Sequence, residues 1–316
     1  MIVTVTLNAA LDRSLTVPTF QLGHRHRASE VRVLAGGKGI NVARALKRLD
    51  VPVVATGLAG GRTGTRLVEE LTSEAILNDF VRIQDESRTS TLIVDPTANT
   101  HTEIYEWGPK VTPAELDMLM EKLRYLSRGA QVVVLAGSLP RGVDEAFYAD
   151  VVREMAKRGV QVALDTDGEP LRRGVEVEPW LVSPNQQEAE QLVGQELQDE
   201  DDFLWALGAI AEMGARNVHI TVDSGCFALI RGERMQRRYR VFGPQHEPVS
   251  AIGAGDALLA QWLASYLEGK GVEECLRLAV GAGAASVLEV GAGHFDPAEA
   301  RRFAGEIEVH ELQPVT

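Results

Sequence analysis

An α/β fold with a mostly parallel sheet covered on both faces is predicted by two features of the chain. Short β-rich runs at 2–7, 52–57, 131–136, 160–165, 179–183 and 217–222 alternate with helical patterns near 39–49, 63–73, 112–126, 144–157, 186–194, 201–213, 254–268 and 272–288. Such alternation is the mark of βαβ units. The 316 residues, 45% of them hydrophobic, supply a core of the size such a sheet needs.

Two stretches break the alternation. Residues 12–35 are extended and polar, with no helical period, and in 89–106 "TSTLIVD" and "THTEIYE" read as a hairpin around "PTAN". Together they predict a small β layer projecting from the main sheet. Its apolar positions, such as Leu92, Val94, Ile104 and Tyr105, need a cover. No linker separates it, so residues 1–316 are expected to form one domain with this layer as a lid.

The net charge is −13. That disfavours nucleic acid as a partner, because phosphate recognition needs a positive surface. An anionic substrate would need a local positive island. No run of 18 or more apolar residues occurs, so no membrane partner is expected. The strand-like start "MIVTVTLNAA" lacks the features of a signal peptide, and Cys226 and Cys275 fit no metal or disulfide pattern. The expected compartment is the cytoplasm.

The chemistry-bearing segments follow in chain order. In "TLNAALDRSL", Asp12 lies just past the first strand, where side chains often face the ligand crevice of an α/β sheet, or merely cap a turn. In "AGGKGINVARAL" glycines lead into a helix marked by Ile40, Val42, Ala43 and Leu46. The spacing is neither a P-loop nor a dinucleotide fingerprint. Lys38 offers a cation at the helix start and Asn41 can bond sugar hydroxyls, while close packing through glycine is the plainer reading. In "SPNQQEAEQL", Asn185 and Glu188 suit either a capping box or Mg²⁺ held through water. In "AIGAGDALLA", Gly253, Ala254 and Gly255 can expose the N–H groups of a helix start to an oxyanion. Asp256 then sits where it can take a proton from an attacking hydroxyl. A tight turn with a helix-stabilising Asp fits these four residues equally.

Taken together, "GGKGIN", "AGSLP" at 136–140, "PNQQE" and "GAGDALLA" resemble, in that order, the ribokinase-like (PfkB) sugar kinases. The branch most resembled is that of 1-phosphofructokinase, tagatose-6-phosphate kinase and the minor 6-phosphofructokinase. The resemblance runs from residue 2 to about 297. It implies a three-layer sandwich with a mostly parallel central sheet and a small β-sheet lid that commonly forms a dimer clasp. It implies ATP- and Mg²⁺-dependent phosphoryl transfer to a sugar phosphate, with fructose 1-phosphate the first choice of acceptor. Asp256 then corresponds to the catalytic base, and the N–H groups of Gly253, Ala254 and Gly255 to the anion hole. Asp12, Gly36, Gly37, Lys38 and Asn41 match the sugar site, Arg88 an arginine near the substrate phosphate, and Ser138 a serine of the sugar-proximal loop. Arg25 and Arg27 fall where the group has basic lid residues. With Lys38 and Arg88 they are the candidate positive island. Asn185 and Glu188 match the motif that organises Mg²⁺ and the triphosphate, and Asp223, Ser224 and Gly225 a strand-turn beside the nucleotide.

The chain departs from the family pattern at Ala9, at Ser183 in place of a lysine, at the bulky Phe227 after "VDSGC", and at Ala251 in place of a hydroxyl residue. Three of these four lie on the nucleotide side. They motivate one rival, a sugar-phosphate sensor with an impaired nucleotide site. A kinase of an unphosphorylated sugar or nucleoside is the rival enzyme, and Lys38 with the lid arginines argues against it. No "GxGxxG" follows the first strand, which removes a nicotinamide dehydrogenase. His24 and His26 are expected to alternate on a lid strand. The "GAG" triplets at 281–283 and 291–293 are read as helix packing and, by analogy with the family, as near the adenine.

Overall fold

A computed structural model describes residues 1–232, 235–243, 252–289 and 291–312. Among these, ten strands form one sheet, in the order β14-β13-β12-β11-β10-β9-β8-β1-β4-β5. The parallel part comprises β1 (Ile2–Thr6), β4 (Val53–Gly60), β5 (Val81–Ile83), β8 (Val132–Ala136), β9 (Gln161–Asp165), β10 (Leu181–Val182) and β11 (Asn217–Val222). Strands β12 (Gly225–Arg231), β13 (Gln236–Phe242) and β14 (Glu308–Leu312) continue it antiparallel. The alternating pattern does not extend to these three strands; the strand-turn "VDSGCF" is the hairpin between β11 and β12.

Central strands such as β1 and β8 are buried along their whole length, as a sheet covered on both faces requires. One layer carries α1 (Lys38–Arg48), α2 (Gly61–Ser73), α8 (Ala254–Leu267), α9 (Val272–Ser286) and α10 (Pro297–Ala304), packed through Ile40, Leu46, Leu67, Trp262 and Phe303. The opposite layer carries α3 (Pro113–Leu126), α4 (Phe147–Ala156), α5 (Gly168–Val175), α6 (Gln186–Val193) and α7 (Glu200–Met213), packed through Leu119, Tyr148, Val175 and Leu207. The acidic run 198–202 is a helix start, with Asp199 and Asp202 in a reciprocal capping box. No helix among the described residues is long and apolar enough to cross a membrane.

The second sheet has the order β3-β2-β6-β7, from β2 (Ala10–Thr16), β3 (Glu30–Gly36), β6 (Arg88–Asp95) and β7 (Thr100–Tyr105). Pairing sets Asp12 opposite Ser90 and Ser90 opposite Tyr105, with Arg88 two residues before Ser90. Side chains alternate along a strand, so all four share one face. His24 and His26 are not on a strand. They lie in the turn and loop between β2 and β3, where each ring bonds a nearby carbonyl, that of Leu22 or Gln21.

Candidate active site

The lid and the carboxyl ends of the parallel strands enclose one long cleft of about 1240 Å³. Crevices of α/β sheets lie at that end because the connecting loops diverge there. At its lid end stand Asp12, Arg88, Ser90 and Tyr105. Arg88 donates from Nε to the carbonyl of Asn8 and its guanidinium lies 5.8 Å from the centre of the Tyr105 ring. Burial pushes the Asp12 carboxyl up to about 6, against the pull of Arg88. Gly36 serves this end indirectly, since a Cβ there would lie 1.9 Å from Asp12 Oδ2. The same cleft has an apolar stretch of wall, with Leu258, Val280, Ala284, Val287 and Ile307.

Three helices begin at the cleft. Gly37 caps α1, Gly253 caps α8 and Asn185 caps α6, and each helix carries partial positive charge at its start. Neither Gly37 nor Gly253 makes a side-chain cap bond, so both helix starts keep N–H groups for a ligand. Gly253 has φ 88°, and a Cβ on it would lie 2.8 Å from Ala292, so this turn admits only glycine.

Where the starts of α1, α6 and α8 meet the end of β9, four charged groups converge. Asp256 is 5% exposed in the first turn of α8, and its Oδ2 accepts from Asn41 Nδ2 at 2.8 Å. Lys38 Nζ lies 2.8 Å from Asp165 Oδ1 and 2.9 Å from Glu188 Oε1. Burial, then the charge of Asp165, raises Asp256 to about 7, with Lys38 and Asn41 working in the other direction. Burial also disfavours the charge on Lys38, but Asp165, Glu188 and Asp256 outweigh it and hold the ammonium protonated. Burial followed by Asp165 raises Glu188 as well.

Asn185 and Glu188 form the capping box that their spacing allowed: Asn185 Oδ1 accepts from Glu188 N, and Glu188 Oε2 from Asn185 N. Among the described residues no three His, Cys, Asp or Glu are grouped to hold a metal. A hard cation here would keep most of its waters, as Mg²⁺ does. Oxygen-rich Asn185, Glu188 and Asp165 fit that indirect role.

The structure thus brings Asp12, Gly37, Lys38, Asn41, Arg88, Asn185, Glu188, Asp223, Ser224, Gly225, Gly253, Ala254, Gly255 and Asp256 to one cleft. It does not bring all the expected residues there. Arg25 and Arg27 are exposed in the loop between β2 and β3. Ser138 accepts a bond from Asn8 Nδ2 and does not line the cleft. Lys38 is no free cation, being held by two carboxylates. Of the four basic side chains expected to form a positive island, only Lys38 and Arg88 line the cleft.

Phe227, expected to crowd the nucleotide side, is buried and stacked on Phe203 at 4.4 Å, beside a smaller hollow. Ser183 lines the cleft, and Ala251 lies outside the described residues. Gly281 packs against α10 while Gly283 faces the cleft, and the 291–293 turn lies behind Gly253 and Asn41. Asp165 was missed by sequence reasoning. Its signal was a lone acid ending the apolar run "VALD". Arg44, buried within the same helix as Asn41, carries no local signal of its burial.

The chain matches the family described as "pfkB family carbohydrate kinase" over residues 4–299. It is 31% identical over 313 residues to the 1-phosphofructokinase of Borreliella burgdorferi, covering 99% of each protein. To the tagatose-6-phosphate kinase of Staphylococcus epidermidis it is 30% identical over 318 residues, covering 99% of this chain and 100% of that one. Among solved structures, phosphofructokinase-2 of Escherichia coli in complex with substrates and products superposes with a TM-score of 0.89 at 28% identity, covering 96% of this chain and 98% of that one. The sandwich, the lid sheet and a match over nearly the whole length agree, and the chain belongs to the pfkB family of carbohydrate kinases, phosphotransferases whose acceptor is an alcohol.

Proposed function

We propose that this protein phosphorylates a ketohexose phosphate with ATP and Mg²⁺, converting fructose 1-phosphate to fructose 1,6-bisphosphate. The observation that carries the reading is the position of Asp256. It is a buried carboxylate with a pKa near neutrality, in the first turn of a helix whose start opens on a cleft with both polar and apolar walls.

In this reading the sugar phosphate occupies the lid end. Asp12 and Asn41 bond its hydroxyls and Arg88 pairs with its phosphate. The nucleobase lies against the apolar wall of Val280, Ala284 and Val287, and the triphosphate runs past Ser224 and Gly225 towards Gly253. Asp256 accepts the proton of the acceptor hydroxyl while its oxygen attacks the γ-phosphorus. The new O–P bond forms as the bond to the β-phosphate oxygen breaks, and ADP leaves. The N–H groups at 253–255 bond the transferring phosphoryl oxygens. Asn185 and Glu188 would hold Mg²⁺, which would supply neutralisation of the triphosphate charge. Lys38 keeps Asp165 and Glu188 from repelling the incoming anion. The lid is read as a clasp that pairs with a second copy and excludes water on closure.

A second reading takes tagatose 6-phosphate or fructose 6-phosphate as acceptor, favoured by the likeness to a tagatose-6-phosphate kinase. The deciding experiment is ADP release with Mg·ATP across a panel of free ketohexoses and their 1- and 6-phosphates. The expected result is the highest kcat/KM on fructose 1-phosphate. Preference for an unphosphorylated sugar, or binding without turnover, would overturn the proposal.

A further inference from the structure

Arg44 is 3% exposed and lies in the middle of α1, one turn after Asn41. Its guanidinium reaches four elements. Nε and Nη2 meet the two carboxylate oxygens of Glu74, the residue ending α2, at 2.5 and 2.8 Å. Nη2 also donates to the carbonyl of Ala35, the residue before Gly36 at the exit of lid strand β3, at 2.6 Å. Nη1 donates to Asn41 Oδ1 at 3.2 Å and to the carbonyl of Ala292 at 3.0 Å.

The two Nη1 bonds lead into the cleft. A guanidinium has no acceptor, so it can face only the oxygen of the Asn41 amide. That leaves the amide nitrogen for Asp256, which it meets at 2.8 Å. An amide released from Arg44 could turn over and present its oxygen to the carboxylate. Ala292 in turn stands directly behind Gly253, so its carbonyl bond braces the wall of the anion cradle.

We propose that Arg44, anchored by Glu74, is a positioning residue for phosphoryl transfer: it fixes the Asn41 amide towards Asp256 and holds the lid exit and the cradle wall in register with that carboxylate. This rests on Asp256 being the base. Arg44 touches no substrate and acts through Asn41 and two backbone carbonyls.

The test is Arg44→Lys, measured beside Asp256→Asn with the best acceptor of the panel. Lysine keeps the charge opposite Glu74 but cannot span Asn41, Ala35 and Ala292 together. Misplacement on the ångström scale lowers kcat by up to about 100-fold, and a fall of about 10- to 100-fold is expected, with KM for ATP changed by less than about threefold. At saturating sugar phosphate, Asn41→Ala should lower kcat by a smaller factor in the Arg44→Lys background than in the unmodified one, because the two act as a unit on Asp256; equal factors in both backgrounds would overturn the proposal. Unchanged kcat with only a lower Tm would make Arg44 a plain structural ion pair and overturn the proposal. Should Arg44→Lys fail to fold, Glu74→Gln loosens the same guanidinium, with an expected fall in kcat of about three- to tenfold. Unchanged kcat there overturns it equally. Turnover retained by Asp256→Asn would instead remove the base itself, whereas a dead Asp256→Asn beside a fully active Arg44→Lys defeats the role of Arg44 alone.

Discussion

Lys38, at the first residue of α1, reaches Asp165 at the last residue of β9 with 2.8 Å between Nζ and Oδ1. The same ammonium meets Glu188 and lowers the cost of ionising Asp256. The lysine is thus an electrostatic keystone between three carboxylates. Lys38→Met should raise the pKa of Asp256 further, because a charge favouring its ionised form is lost. The acid limb of the kcat/KM profile is expected to move to higher pH, so the variant recovers part of its activity at alkaline pH. An unmoved limb would show that Lys38 does not act on the base.

The unmodified protein should itself show this limb. Asp256 is raised by burial to about 7, and only its ionised form accepts a proton. Below that pH, kcat/KM should fall about tenfold per unit, as expected for one required base in the free enzyme. A limb near pH 4 would mean that the base is solvated and lies elsewhere.

Arg88 shares the lid face of Asp12 and Tyr105, whereas the apolar wall comes from α8, α9 and the segment after α10. Arg88→Met should raise KM for the sugar phosphate by about one to two decades, since a charge-assisted bond contributes about 1.5–3 kcal/mol. KM for ATP should stay nearly constant. Steady-state kinetics with each substrate varied in turn checks this, and a rise confined to ATP would reverse the two ends of the cleft.

Much of this site could be read from the sequence, for identifiable reasons. Gly253, Ala254, Gly255 and Asp256 declared themselves because a glycine turn before a helix leaves N–H groups free, a local property. So did the capping pair Asn185 and Glu188. The Asp12 row on the lid depends on the register of β2, β6 and β7, which no local pattern fixes. The partners of Lys38 come from β9 and α6, 127 and 150 residues away, and only the fold brings them together. For the same reason Arg44 was invisible, since helical periodicity does not distinguish a buried arginine from a surface one. Strands β12–β14 were missed because their chain direction reverses after the alternating part of the sequence.

Of the four apolar lid positions expected to need a cover, Leu92, Val94 and Tyr105 share the face of Asp12, and only Ile104 lies on the outer face, where it is 54% exposed beside Val31 at 52%, with Leu15 and Ile93 on the same side by register. Small isolated sheets are marginal in water, and open edges favour pairing. A homodimer clasped through these lids is expected. Ile104→Glu should weaken it and raise the sugar-phosphate KM together. Light scattering checks the mass, and a fully active monomer of the unmodified protein would contradict the clasp.

Whether Asp256 is the base of phosphoryl transfer is decided by kcat of Asp256→Asn with Mg·ATP and the preferred sugar phosphate. Asparagine keeps the shape and the contact distance to Asn41 but cannot take up the proton. The expected result is a folded protein that still binds sugar phosphate and loses about 10²- to 10⁴-fold in kcat. A variant with near-normal kcat would contradict it.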